Sequence, residues 1–544
     1  MFAHFFLFEI KYRLQRPMVY LFLVANFIIV FAATVNDHIV IGGSNDSIHV
    51  NAPYVIMKTT LLMTLVGIFM TTALVDTAIL RDFTHRFSPL IFSTPIRKIS
   101  YLSGRFTGAF LMALLPFLGI FAGIALGAGS GLVSPSEISS FSMGAYWNTF
   151  LMGVVPNILL VSAIIFWLAA TFRSSIVSFL GAVSIVVLYI VLLSFSQNLD
   201  NETIAILADP LGINSYNLIT KYWTIAEKNT QVLPFSGLFL LNRIIWFSVS
   251  IGCLLAAYFQ FSFTSRRQKT KTNVQDAADL SNTKPIFVAL APLPAVQLTD
   301  NFTLRVQQFL NQIKIEFWSI FKSAPFIVLL LLGIFNMLGS LQHVSELRGT
   351  GNYPVTYLMV EAIRGSLYLF LLIMVLFYSG VLVWKERENN MNEIYDVAPY
   401  PTWLPFSAKL VALMGMTVTV LLLGTLCGAL VQLSEGYTQF QWSIYFREFL
   451  VYDLAWLFAL STLAMLIQTL VNNKYIGYFG FILLLIAFQF GPKALSFQSH
   501  LIAYASVPTH IYSDMNAWSL YATGLAWFHT YWTLAAAFLA MITV

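Results

Sequence analysis

The chain has 544 residues, of which 58% are apolar and 15% aromatic, with a mean hydropathy of +0.77. A soluble domain averages roughly 45–50% apolar residues, so most of this chain is solvated by lipid, and a water-soluble globular protein is excluded. Two cysteines, Cys253 and Cys427, lie within apolar runs, which leaves no disulfide framework and no spacing able to hold a metal. The net charge of +5 matters less than its placement, because Lys and Arg accumulate on the cytoplasmic side of membrane segments.

An apolar run of about 20 residues spans the hydrocarbon core as a helix, since unpaired backbone groups in lipid are too costly for other open structures. Twelve such runs are predicted: 18–35, 54–79, 106–128, 147–171, 175–195, 237–262, 325–341, 359–383, 408–432, 449–471, 476–491 and 522–544. The basic segments Lys11/Arg13/Arg16, Arg81/Arg86/Arg97/Lys98, Arg173, Arg266/Arg267/Lys269/Lys271, Lys314/Lys322, Lys385/Arg387 and Lys474 fall at alternate ends of these helices. All of them therefore belong on the inside. The first basic segment and the apolar run after it read as an uncut helix rather than a signal peptide, because a matching unit recurs in mid-chain. KIEFWSIFKSAPFIVLLLL (314–332) follows the pattern of FEIKYRLQRPMVYLF (8–22): a short amphipathic segment meets a proline and then enters the membrane. In the second copy Phe309, Ile313, Phe317, Ile320 and Phe321 form one apolar face at helical spacing, which suits a helix in the cytoplasmic interface.

Residues 264–304, with SRRQKTKTNVQDAADLSNTKP, are polar and aperiodic and read as a cytoplasmic linker. The fold class is thus an all-α integral membrane protein of about twelve helices, in two parallel six-helix repeats: 1–263 and 305–544. Each repeat starts and ends inside, so the two are parallel rather than inverted. Each also carries a long, weakly apolar excursion between its fifth and sixth helices, 196–236 and 491–523, which reads as an outer re-entrant segment.

The repeat is clearest in two charged stretches. ILRDFTHRFSPLIFSTPIRKISY (79–101) aligns without gaps with residues 304 positions later, 383–405, which open with VWKERENNMNEIYDVAPYPTW (383–403). The offset pairs Arg81 with Lys385, Asp82 with Glu386, Pro95 with Pro399, Ser103 with Ser407 and Arg105 with Lys409.

The elbow segment, the charged loop ending in a proline, the six-helix unit and the outer excursion together resemble the permease subunits of the ABC-2 transporter family, also called type V exporters. The phrases DFTHRFSPLIFSTPIRKISYLSGRF and DNETIAILADPLGINSYNLITKYWTIAEKNT resemble a bacterial subgroup in which two permease units are joined and followed by an M1-family aminopeptidase domain. The likeness is specific in the first half and looser in the second. One departure is plain: no histidine is followed by Glu, so the zinc signature H-E-x-x-H is absent. The sequence stops at AAFLAMITV with no basic flank, which leads us to expect the membrane portion of a longer polypeptide or a truncated copy.

The resemblance implies a bacterial inner-membrane exporter, multi-pass, with both termini cytoplasmic. No G-x-x-x-x-G-K-[ST] loop is present, so ATP and Mg are expected on separate ATPase subunits, in two copies, and the chain is not expected to be an enzyme by itself. No cofactor and no nucleic-acid partner are expected, and the substrate is not legible. In the family, the loop between the second and third helices of each unit docks on the ATPase. Asp82, Arg86, Arg97 and Lys98 in the first copy, and Glu386, Arg387, Glu393 and Asp396 in the second, are the expected contacts, as solvent-facing charges. The competing reading is a solvated loop obeying the positive-inside rule.

A second set of charges, Lys58, Glu361, Arg364 and Asp453, with Glu448, lies near outer helix ends, where snorkelling, helix pairing or a polar pathway lining would each account for them. His529 reads as an interior histidine, and the small-residue runs Gly119–Gly131 and Leu421–Leu430 as sites of close helix packing. By analogy with the family, the second and fifth helices of each half line the path. Two other functions compete: a secondary carrier, which normally places ionisable residues at mid-membrane, and a membrane anchor or feeding channel for a peptidase domain. A cysteine placed at Asn273, in the linker, is expected to resist an impermeant thiol reagent applied outside intact cells; efficient labelling would overturn the parallel twelve-helix topology.

Overall fold

The computed structural model describes residues 1–36, 41, 47–85, 87–195, 202–263, 301–342, 353–398, 400–494, 497, 499–510 and 512–543. The first unit comprises α1 (Phe2–Leu14), α2 (Pro17–Val35), α3 (Pro53–Thr84), α4 (Ser88–Phe92), α5 (Lys98–Ala128), α6 (Met143–Phe172), α7 (Ser175–Phe195), α8 (Glu202–Ala208), α9 (Ile213–Ile219), α10 (Ile225–Thr230) and α11 (Gly237–Gln260). The second comprises α12 (Phe302–Phe321), α13 (Ala324–Gln342), α14 (Thr356–Glu388), α15 (Asn392–Asp396), α16 (Trp403–Ser434), α17 (Trp442–Leu470), α18 (Lys474–Ala494) and α19 (Ala522–Thr543). No β-strand forms among the described residues. Eleven of these helices are long and apolar enough to cross a membrane, and the helix α7 occupies the remaining predicted run, 175–195.

The charged stretches differ from the loops read in the sequence. The helices α3 and α14 run for 32 and 33 residues, about 48–50 Å at 1.5 Å per residue, well beyond the roughly 30 Å hydrocarbon core. Arg81, Asp82, Lys385 and Glu386 are therefore helical, because a helix satisfies its own backbone wherever its side chains find polar partners. The loops proper are short and repeat to the residue: α3 ends at 84 and α14 at 388, while α4 spans 88–92 and α15 spans 392–396. Each of these bounds is 304 residues from its counterpart.

The elbows also differ from expectation. The helix α12 begins at Phe302, inside the segment read as linker, of which 264–300 lie outside the described residues. Its apolar face packs on α16 rather than on lipid: Phe309 meets Trp403 at a ring separation of 5.7 Å, and Phe317 covers Gly415. Phe302, Leu304, Val306, Leu310, Ile315 and Trp318 are its large apolar residues left exposed. In the first unit, α1 and α2 lie against α5 at a run of glycines. A Cβ at Gly104, Gly108 or Gly119 would overlap Phe5, Glu9 or the Leu23 carbonyl respectively. The small-residue run thus lets backbones touch, as the sequence reading of close packing requires. In the second unit, Gly424 and Gly428 instead receive side chains of α14, Leu367 and Ile363.

The first excursion contains three short helices, α8 to α10, folded around the buried Asp209, which accepts the amides of Leu211 and Ser215. The second, between the end of α18 and the start of α19, contains turns and no helix of its own among its described residues. The two units meet along a seam made by α3 and α7 of one and α14 and α18 of the other. Phe179 stacks on Phe377 at 4.7 Å and packs on Tyr478 at 5.2 Å, and Phe22 of α2 meets Phe479 edge-on at 4.6 Å.

Candidate functional site

Glu9, in α1, is fully buried. A carboxylate removed from water must be paired, and three helices supply cations to it. Arg13 donates from one turn away at 3.2 Å, Arg81 of α3 at 2.6 Å, and Arg105 of α5 closes the third contact. The guanidinium of Arg105 forks to reach Asp82 at 2.6 Å as well, and the Tyr101 hydroxyl donates to the same Asp82 oxygen at 2.8 Å. Aromatic faces complete the enclosure: Arg81 lies 4.2 Å over the Tyr12 ring, and Arg105 lies over Phe8 and Tyr101.

The second unit repeats this arrangement with different residues. Glu316 of α12 is buried and accepts from Lys385 at 2.8 Å and from Gln312 at 2.8 Å, while Glu386 accepts from Lys409 at 2.7 Å. Lys474 at the start of α18 adds a contact to Glu388 at 2.7 Å. Lysine is a single point charge whereas arginine is a fork, so Lys409 serves one carboxylate where Arg105 serves two. Each elbow is thus tied through a buried acid to the second helix of its unit, and the next acid along ties that helix to the third.

This network divides the eight expected coupling residues. Asp82 is buried and turned inward to Arg105, and Glu386 is half-buried on Lys409, so neither is the free solvent-facing charge read from the sequence. Lys98 is partly covered, 4.8 Å over the Tyr258 ring. Arg97, Arg387, Glu393 and Asp396 are exposed. Arg86, and Pro399 of the paired prolines, lie outside the described residues.

Around the exposed charges stand apolar side chains. Leu90 on α4 is 71% exposed beside exposed Phe87, and Ile394 and Val397 at α15 are 73% and 84% exposed. The second loop is braced from below by Tyr395 and Tyr400, whose rings are 5.2 Å apart and whose phenols burial pushes above their ordinary pKa.

At the opposite end, Arg364 of α14 donates to Glu448 at 2.5 Å and to Asp453 at 2.9 Å on α17. Those two acids belong to a π-helical stretch, Phe446–Asp453, matched in α6 by Phe150–Val154. Glu448 also accepts from the Trp518 indole at 2.6 Å and meets His510 at 3.1 Å, which fastens the second excursion to the bundle. Arg364 is 21 residues from Lys385, roughly 31 Å along the helix, so the two lie about one hydrocarbon thickness apart. Of the four charges read as pathway or pairing candidates, Arg364 and Asp453 pair with each other. Lys58 donates to Tyr54 at 2.9 Å, and Glu361 is exposed. His529 stacks on Tyr452 at 4.9 Å.

Three acids were not singled out from the sequence. Glu9 and Glu316 lie in elbows, where a charge reads as solvated. Asp76, inside the apolar run TALVDTAIL, carried a clearer signal: an ionisable residue within a membrane helix. It is buried at the seam, accepting from Ser178 of α7 at 2.9 Å and, across the two units, from Tyr475 of α18 at 2.5 Å.

The fold and these clusters define a two-unit, polytopic helical membrane protein whose units repeat an elbow, a charged loop and a seam-forming helix pair. Residues 312–491, from within α12 to near the end of α18, match the family described as ABC-2 family transporter protein. No curated protein matches the chain. The family match supports a membrane-spanning permease component of an ABC transporter.

Removing the carboxylate of Glu9 leaves three guanidinium groups facing one another with a single acid, and breaking a buried pair in this way costs about 3–5 kcal/mol. Glu9→Gln is therefore expected to lower the melting temperature of the detergent-purified protein well beyond the effect of Glu393→Gln, an exposed change within about 0.5 kcal/mol. Equal melting temperatures would show that the buried network does not hold the elbow.

Proposed function

We propose that the chain forms both membrane halves of an ABC exporter in the bacterial inner membrane. Its basic end and both termini face the cytoplasm, following the positive-inside rule. Separate ATPase subunits, which carry ATP and Mg, dock on α4 and α15, and their closure on ATP moves the elbows and the long helices α3 and α14 together. The path between the halves follows the seam of α3, α7, α14 and α18, which opens alternately to the two sides. The substrate is left open. The phrases in 82–106 and 200–230 favour the subgroup of permeases fused to an M1-family aminopeptidase.

One observation carries the docking reading. Short helices repeated to the residue expose Leu90, Ile394 and Val397 at the end of the molecule that gathers the basic residues, outside the predicted lipid-facing spans. Exposed apolar side chains rimmed by charge are the anatomy of a protein contact. A loop that merely obeyed the positive-inside rule would have no use for them.

The test is a Leu90→Asp, Ile394→Asp double variant. Neither side chain is buried, so the protein should insert and melt as the parent does, while copurification of an ATPase falls at least tenfold. Undiminished ATPase association would reject docking at these helices. Reversing Glu386 would not serve as the test, because it would break the contact with Lys409 and confuse folding with docking.

A further inference from the structure

The two docking helices are geometrically equivalent but electrically opposite. Within 83–98 the described charged residues are Arg97 and Lys98, and the stretch contains no acid. In the equivalent stretch, 387–402, Arg387 stands against Glu388, Glu393 and Asp396. The sequence blurs this contrast because Asp82 and Glu386 begin both charged stretches with an acid. The structure removes that ambiguity: Asp82 is buried against Arg105 and Tyr101, so it contributes nothing to the surface of the first loop. Arg387 is drawn 5.0 Å over the Trp384 ring, while Glu393 and Asp396 stay exposed on either side of Ile394. The first loop therefore offers water the basic charges of Arg97 and Lys98, and the second the acids Glu393 and Asp396 on either side of Ile394.

A dimer of two identical ATPase chains would present the same groove to both loops. A groove complementary to Arg97 and Lys98 would set like charge against Glu393 and Asp396, and like-charge juxtaposition suppresses the wrong partner strongly. We infer that the two loops bind two non-identical ATPase chains, one with an acidic groove for α4 and one with a basic groove for α15. The inference rests on the permease reading above and adds to it the kind of partner each loop selects.

The experiment uses the full chain, affinity-tagged and purified in mild detergent from its own membranes, with native mass spectrometry and photolabelling by an azido-ATP to identify bound ATPases. The expected result is one copy each of two ATPase chains of different mass. Arg97→Glu, Lys98→Glu should lose one of them at least tenfold while keeping the other. Glu393→Lys, Asp396→Lys should do the converse. Arg97→Glu alone serves as a milder variant, and parental melting temperatures show that each variant is folded. One ATPase chain present in two copies would overturn the inference while leaving the permease reading intact, and so would loss of both chains alike from either variant. Absence of any ATPase from the parental complex would overturn the permease reading itself.

Discussion

A buried carboxylate gripped by cations from neighbouring helices fixes the basic end of each unit, and the rest of the arrangement depends on it. Glu9 has no water to solvate it, so α1 must cross α3 and α5 at the turns that carry Arg81 and Arg105. Glu316 imposes the same crossing on α12 and α14 through Lys385. An apolar residue at these positions would pack without specifying which turn meets which, whereas an ion pair is satisfied in one register only. The consequence reaches outward. Because the ends of α3 and α14 are held, the short helices α4 and α15 leave them from fixed points and present apolar side chains at repeated positions.

The opposite end is organised differently in the two units. The second has Arg364 between two acids, with His510 and Trp518 tying in the outer excursion. The first has Arg243 on α11, whose single described hydrogen bond is to Asn157 at 2.6 Å, a neutral partner. Between the units the seam is aromatic, and the Asp76 to Tyr475 hydrogen bond is a polar contact across it. A buried acid with hydroxyl partners gives this aromatic seam a defined register.

Much of this was legible in the sequence because lipid imposes simple rules. The twelve apolar runs correspond to eleven membrane-length helices and the helix α7, and the 304-residue offset carries over to the residue in α4 and α15. The elbow acids escaped for a definite reason. The offset sends Glu9 to Ile313, but its structural counterpart is Glu316, three residues further on; three residues is nearly a full helical turn, so the face is kept while the alignment is lost. Asp82 and Glu386 were read as surface charges because an acid in a polar stretch carries no mark of burial; only the approach of Arg105 and Lys409 from the next helix reveals it. The opposite signs of the two loops stayed hidden for the same reason.

The central claim is that these held helices are where an ATPase attaches, and hydrogen exchange of the purified complex against the chain alone tests it most directly. The account predicts that ATPase binding slows exchange in peptides covering 87–92 and 391–397 and leaves the outer excursions unchanged. Unaltered exchange in both segments, with an ATPase demonstrably bound, would contradict it.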